Sequence, residues 1–215
     1  MTGLIKKDFY NIAGSLKIYL LIPALFAFLS YSNKSMDLLS FGTCFVSIFV
    51  IITCYAYDDM AHFNDYALTL PISRKDLVLS KFLLGNLFMM IVFVIANVLA
   101  FGMDQLFPDR FMGYDAMYFL EYTYAATMAV NIITSFILLV MFKYGSEKGR
   151  IVFIVCFLAI GLLGGLLGNQ LSQYDFSGVI AFLDQYLLIL MFPVSLLAEG
   201  IAILISIKIM KHKEL

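Results

Sequence analysis

Long apolar stretches alternate with short polar gaps along the whole chain. A helix needs about 20 apolar residues, at about 1.5 Å each, to cross about 30 Å of hydrocarbon. Six stretches meet or approach that length: 16–31, 38–57, 82–103, 122–142, 151–171 and 186–207. The second to fifth carry no formal charge. The first is short and starts beside Lys17, whose aliphatic stem can lie along a helix while the ammonium reaches the headgroups. The sixth contains Pro193 and Glu199, so a kink is expected there. Ahead of the first stretch, Leu4, Ile5, Phe9 and Ile12 recur at helical spacing with Lys6, Lys7 and Asp8 on other faces. This predicts a short helix over 2–14 lying in the membrane interface. Before the sixth, Phe176, Val179, Ile180 and Leu183 mark one side of a short interfacial or re-entrant segment. The pattern predicts an all-α integral membrane protein, a single transmembrane domain over 1–215 with six transmembrane helices.

Charge adds direction to this picture. Of the 14 Lys and Arg residues, all but Lys34 and Arg110 fall in alternate gaps: Lys6, Lys7 and Lys17, then Arg74, Lys75 and Lys81, then Lys143, Lys148 and Arg150, then Lys208, Lys211 and Lys213. Basic residues are retained on the cytoplasmic face during insertion, so both termini are expected to be cytoplasmic. The opposite gaps hold Asp37, Asp104, Asp109, Asp115, Glu121, Asp175 and Asp184. With 62% hydrophobic and 13% charged residues, span and short connection account for nearly everything, and nucleic-acid binding finds no support. The N-terminal apolar run lacks a small-residue cleavage pattern and is read as uncleaved. Cys44, Cys54 and Cys156 all lie in apolar stretches without a C-x-x-C pair, which points to buried thiols rather than a disulfide framework or zinc site. Many tyrosines, among them Tyr31, Tyr57, Tyr122 and Tyr144, fall near predicted span ends, where an amphipathic ring suits the interface.

One gap has internal design. Residues 58–81 hold Met60, Phe63, Ala67 and Leu70 at intervals of three and four, with Asp59, His62, Asn64 and Asp65 on the other arc. A short amphipathic helix parallel to the membrane is predicted, ended by Pro71. Ser73 and Asp76 then form a capping-box pattern from which a helix can run straight into the third span. Helix, break and helix make an elbow able to carry force into the membrane.

The acidic run, the aromatic-containing segment and TLPISRKDLVLSK opening the third span, together with LIKKDFYN before the first, resemble ABC-2 type permease subunits. The resemblance is to the small six-span bacterial kind, similar to peptide-toxin and bacteriocin exporter permeases, and the layout matches along the whole chain. It implies one half of a type V exporter-like permease in the bacterial plasma membrane. It also implies that 58–81 is a coupling loop docking on a cytoplasmic ABC ATPase, with two ATPase copies and a second, identical permease chain. The contact residues on that reading are Asp58, Asp59, Met60, His62, Phe63, Asp65, Tyr66, Leu70, Pro71, Arg74 and Lys75, the last three setting the angle of the elbow. The chain contains no G-x-x-x-x-G-K-[ST] phosphate loop, so ATP and Mg belong to the partner and this chain is not expected to be an enzyme.

Further candidates lie in the spans. Glu199 is a carboxylate at membrane depth and a functional candidate by default, for the pathway or for gating. The competing expectation is that it pairs with a basic group from the cytoplasmic loops. Asn97 and Asn131, in adjacent antiparallel spans, are placed to hydrogen-bond to each other, as packing glue or pathway lining. Gly161 with Gly165 and Gly164 with Gly168 form two G-x-x-x-G pairs in the fifth span, which permit close approach of another helix; the resemblance places them at the dimer seam. An intramembrane enzyme would need paired catalytic groups at depth, whereas His62 and His212, the two histidines, both lie outside the spans. A channel would show a filter-like loop or charge ring, which is missing. The expected function is therefore ATP-driven export of amphipathic or hydrophobic cargo, cytotoxic or antimicrobial peptides by preference, or lipid-like molecules, within a shell of membrane lipids. A non-transporting polytopic accessory or immunity protein is the alternative.

Overall fold

A computed structural model describes residues 2–67, 69, 72–109, 111, 115–152, 154, 155, 158, 159, 162 and 177–212. The described residues form helices and connections, with no strand among them. The helices are α1 (Thr2–Ala13), α2 (Leu16–Asn33), α3 (Asp37–Met60), α4 (Phe63–Ala67), α5 (Arg74–Leu106), α6 (Ala116–Tyr144) and α7 (Ser177–His212). Among the described residues, five stretches are long and apolar enough to cross a membrane: α2, α3, α5, α6 and Leu188–His212 within α7. Of the expected fifth span, residues 151, 152, 154, 155, 158, 159 and 162 are helical, continuing from 146, and the rest lies outside the described residues.

α3 is the centre of the bundle. In its most apolar stretch 76% of the residues are buried, against 17% in α2 and 17% in the crossing part of α7. Its sequence suits that place, because small and hydroxyl-bearing residues let helix backbones approach closely where lipid supplies no hydrophobic drive. Ser40 Oγ lies 2.5 Å from Thr123 Oγ1, and one turn on Cys44 Sγ lies 3.6 Å from Thr127 Oγ1, a polar seam between α3 and α6. On the opposite side the ring of Phe26 on α2 covers Gly42, so closely that any Cβ there would clash with the ring carbons. Near one end of α3, Tyr55 meets Phe142 edge-on at 5.3 Å, and Phe142 stacks on Phe82. A smaller cluster of Met36, Leu39, Ala100, Met103, Phe111 and Phe119 fills the other end.

The start of α5 follows the predicted chemistry. Ser73 is its N-cap, accepting from Asp76 N, while the Asp76 carboxylate accepts from Ser73 N, a complete capping box. The helix then runs without interruption to Leu106. Three expectations change. The amphipathic helix predicted over Met60–Leu70 is shorter: α3 carries on through Met60, His62 takes a left-handed conformation at φ 48°, and α4 spans five residues. The separate segment expected before the sixth span is part of α7, one continuous helix from Ser177 that also passes through Pro193. And Asp8, expected on a polar face of α1, is fully buried between the buried Leu4 and Ile12, because positions four apart share one face of a helix.

Candidate functional site

α1, the last turn of α3 and the first turns of α5 meet at one end of the bundle, and each brings charge. Lys81 Nζ donates to both oxygens of Asp8 at 2.9 Å and to Cys54 Sγ at 3.2 Å, and lies 2.6 Å from Asp58 Oδ2. Lys7 Nζ lies 2.5 Å from Asp58 Oδ1 and 3.0 Å from Asp8 Oδ1. The side chains of Asp8, Asp58 and Lys81 are 0%, 5% and 8% exposed, whereas Lys7 at 26% closes the cluster on its open side. Two cations and two carboxylates balance, which is the condition for burying charge without a large desolvation penalty. Lys7 also lies 3.5 Å from the centroid of the Phe63 ring, a cation–π contact that holds α4 down on the cluster.

The rest of this end is tied by single bonds. Asp59 Oδ2 accepts from Ser146 N at 2.6 Å, capping the helical residues that follow α6. The turn that presents this N–H contains Gly145 at φ 87°, a conformation glycine adopts without steric cost. Arg74 Nη1 donates to the carbonyls of Met210 and Lys211 at 2.7 and 2.9 Å, satisfying acceptors that the end of α7 would otherwise leave open. Around α4 the outward side chains are Met60, His62 and Tyr66, and Met60 is 78% exposed. Four basic gaps of the sequence thus face one end of a single bundle.

A second polar group sits deeper, where α5, α6 and α7 meet. Asn86 Nδ2 donates to Glu199 Oε1 at 2.7 Å, Asn131 Nδ2 donates to Asn86 Oδ1 at 3.1 Å, and Ser135 Oγ donates to Asn131 Oδ1 at 3.2 Å. Asn86, Asn131 and Glu199 border a cavity of about 480 Å³ whose other walls include Met89, Met90, Phe93, Tyr124, Met128 and Phe192.

Several expected residues take other places than the sequence suggested. Asp58, expected on a contact surface, points into the ion cluster, and Asp59 points at Ser146. Asn97 does not meet Asn131: its Nδ2 donates to Phe93 O in its own helix at 2.8 Å, and Asn131 instead meets Asn86, a residue that sequence reasoning passed over. Glu199 pairs with that amide rather than with a basic group. Phe63 lies under Lys7, Tyr66 and Lys75 are exposed, and Asp65 falls within α4. Leu70, Pro71, Gly161, Gly164, Gly165 and Gly168 lie outside the described residues. Lys7, Asp8 and Lys81 were missed as a site because each served only as a mark of sidedness or solvent exposure. A carboxylate inside the Leu4–Ile12 stripe was the available signal.

The family model described as ABC-2 family transporter protein matches residues 3–211. The chain belongs to this family. No curated protein and no solved structure matches it. As an ABC-2 family member it is a multi-pass membrane protein, the transmembrane component of a transporter and not itself catalytic, and the family as a whole works with an ABC ATPase. The ion cluster and the polar-edged cavity are therefore features of a transport component.

Proposed function

We propose that this ABC-2 protein is the permease subunit of an ATP-driven exporter in the bacterial plasma membrane, with the α1/α4 end facing the cytoplasm. A separate ATPase, in two copies that carry ATP and Mg, docks on the exposed rim of α4, and a second identical permease chain completes the path. The cargo is amphipathic or hydrophobic, with cytotoxic or antimicrobial peptides the preferred class. The observation that carries this reading is the build of the elbow. Met60, His62 and Tyr66 face outward, while the underside of α4 is clamped through Phe63 and Lys7 to Asp8, Asp58 and Lys81. A push on such a knob is delivered to α5, because Lys81 belongs to the same unbroken helix as the cavity residues Asn86 and Met89. ATP-driven closure of the ATPase pair then acts as a rigid-body input.

Co-expression with candidate ABC ATPases and purification in mild detergent tests the reading. The parent chain should retain an ATPase, and Met60→Asp with Tyr66→Asp should lose it while keeping the same monodisperse profile. Retention of the ATPase by the double variant refutes docking on α4. A parent chain that retains none of them supports the accessory-protein alternative. The paired glycines of the fifth span are assigned to the seam between permease chains; Gly165→Leu should shift purified dimers toward monomer, and unchanged dimers would remove that assignment.

A further inference from the structure

We infer that the cavity between α5, α6 and α7 is a binding site for an ammonium group carried on an apolar body, with Glu199 as its counter-ion. The inference rests on the exporter reading and names the chemistry of its cargo. Glu199 is 6% exposed and borders the cavity. Its Oε1 accepts from Asn86, and Oε2 takes part in no hydrogen bond or ion pair among the described residues. The described residues around the cavity include no Lys, Arg or His, so among the described residues the carboxyl lies at membrane depth without the basic partner that such a group ordinarily has. Asn86 is held in turn by Asn131, and Asn131 by Ser135, so the carboxyl on α7 is oriented from two neighbouring helices, α5 and α6. A positioned carboxyl of this kind is suited to a cation.

The remaining walls select the rest of the ligand. Met89, Met90 and Met128 offer flexible, polarizable surface, which adapts to varied apolar shapes. Phe93, Tyr124 and Phe192 place three rings around the same space, and aromatic faces attract ammonium groups. A volume of about 480 Å³ lies within the range that holds a small amphiphile, or a head group with its adjoining side chains. An anionic head group would meet the carboxyl unfavourably. A neutral one would leave it without a counter-ion.

The test uses the purified chain in nanodiscs, without an ATPase, so that its outcome is independent of ATPase docking. The probe is a dodecyltrimethylammonium bearing a diazirine on its alkyl chain, with crosslinks mapped by mass spectrometry. Crosslinks at Met89–Val94 and Tyr124–Met128 are expected, competed by unlabelled dodecyltrimethylammonium and not by neutral N-dodecylacetamide, which controls for partition into lipid. Glu199→Gln should weaken the competition about tenfold or more, since one partner of a desolvated charge pair is removed. Val94→Trp, at the half-open wall of the cavity, keeps the carboxyl and should abolish the crosslinks; it serves where the Gln variant fails to fold. Equal competition by the neutral compound, full affinity in Glu199→Gln, or unchanged crosslinks in Val94→Trp would each overturn the inference. A lysine-bearing amphipathic peptide and its fully acetylated form separate the sources. Competition by the free peptide alone assigns the site to peptide cargo, and competition by the small cation alone assigns it to small amphiphiles.

Discussion

Replacing Lys81 with Met keeps an unbranched stem of similar length and removes only the ammonium. In the parent protein that ammonium is within 2.9 Å of both Asp8 oxygens and 2.6 Å of Asp58 Oδ2. After the change two carboxylates share Lys7 alone, and the cluster goes from formal neutrality to one net negative charge. Breaking a buried pair by removing one partner costs about 3–5 kcal/mol. The low end, about 3 kcal/mol, is expected here, because Lys7 still touches both acids and its 26% exposure admits water. Adding Asp8→Asn leaves a single Lys7–Asp58 pair and restores neutrality, so the second change should return part of what the first removed. The double-mutant cycle should show a coupling of about 2 kcal/mol, within the range for residues in one network. Unfolding by rising dodecyl sulfate in dodecyl maltoside micelles, followed by near-ultraviolet circular dichroism, measures all four proteins. Strict additivity of the two single losses, or a Lys81→Met protein within about 0.5 kcal/mol of the parent, would refute the view that these charges are held as one balanced set.

Other consequences are more local. Ser73→Ala removes one half of the capping box and should cost about 1 kcal/mol, seen as faster hydrogen exchange at the amides of the first turn of α5. Gly42→Ala makes a methyl group clash with the Phe26 ring, so the ring or α2 must shift at a cost of about 1–3 kcal/mol; Phe26→Ala in the same chain should recover much of that loss in the same unfolding assay. Arg74→Gln frees the Met210 and Lys211 carbonyls and should speed exchange in the last turn of α7, whereas Lys75→Gln should leave it unchanged. Reversing both charges, Arg74→Glu with Lys75→Glu, should preserve insertion and dimerisation while uncoupling ATP hydrolysis from transport; normal coupled transport by that variant would remove the elbow from the mechanism.

The helices were legible because a run of about 20 apolar residues has few alternatives to a membrane-depth helix. The start of α5 was legible for a different reason: Ser73 and Asp76 are three residues apart, and the capping chemistry is local. The connection before it was harder. Met60 continues the period of Phe63 and Ala67, yet it ends α3, and the positive φ of His62 breaks the period where no glycine or proline announces a break. Periodicity cannot distinguish one helix from the end of another followed by a short turn. α7 shows the reverse case, since a polar segment with Asp184 was read as a separate piece although the helix runs through it.

The site was less legible, because its partners are far apart in the chain. Lys81 and Asp8 are separated by 73 residues, and Glu199 and Asn86 by 113. Glu199 announced itself as a buried acid, but the identity of its partner depends on how α5 and α7 pack. Asn86 carried no special mark among the apolar residues around it, and its role follows from register. Five residues on one helix separate Lys81 from Asn86, about 7.5 Å of rise and about 140° of turn. The first therefore faces α1 and α3, and the second faces α6 and α7. A displacement of α5 large enough to release Lys81 from its two carboxylates must also strain the bond that orients Glu199. On the proposed mechanism the helix that would receive a push at the α4 end also holds the carboxyl at the cavity, so the two polar groups are linked by rigid backbone and need no separate relay between them.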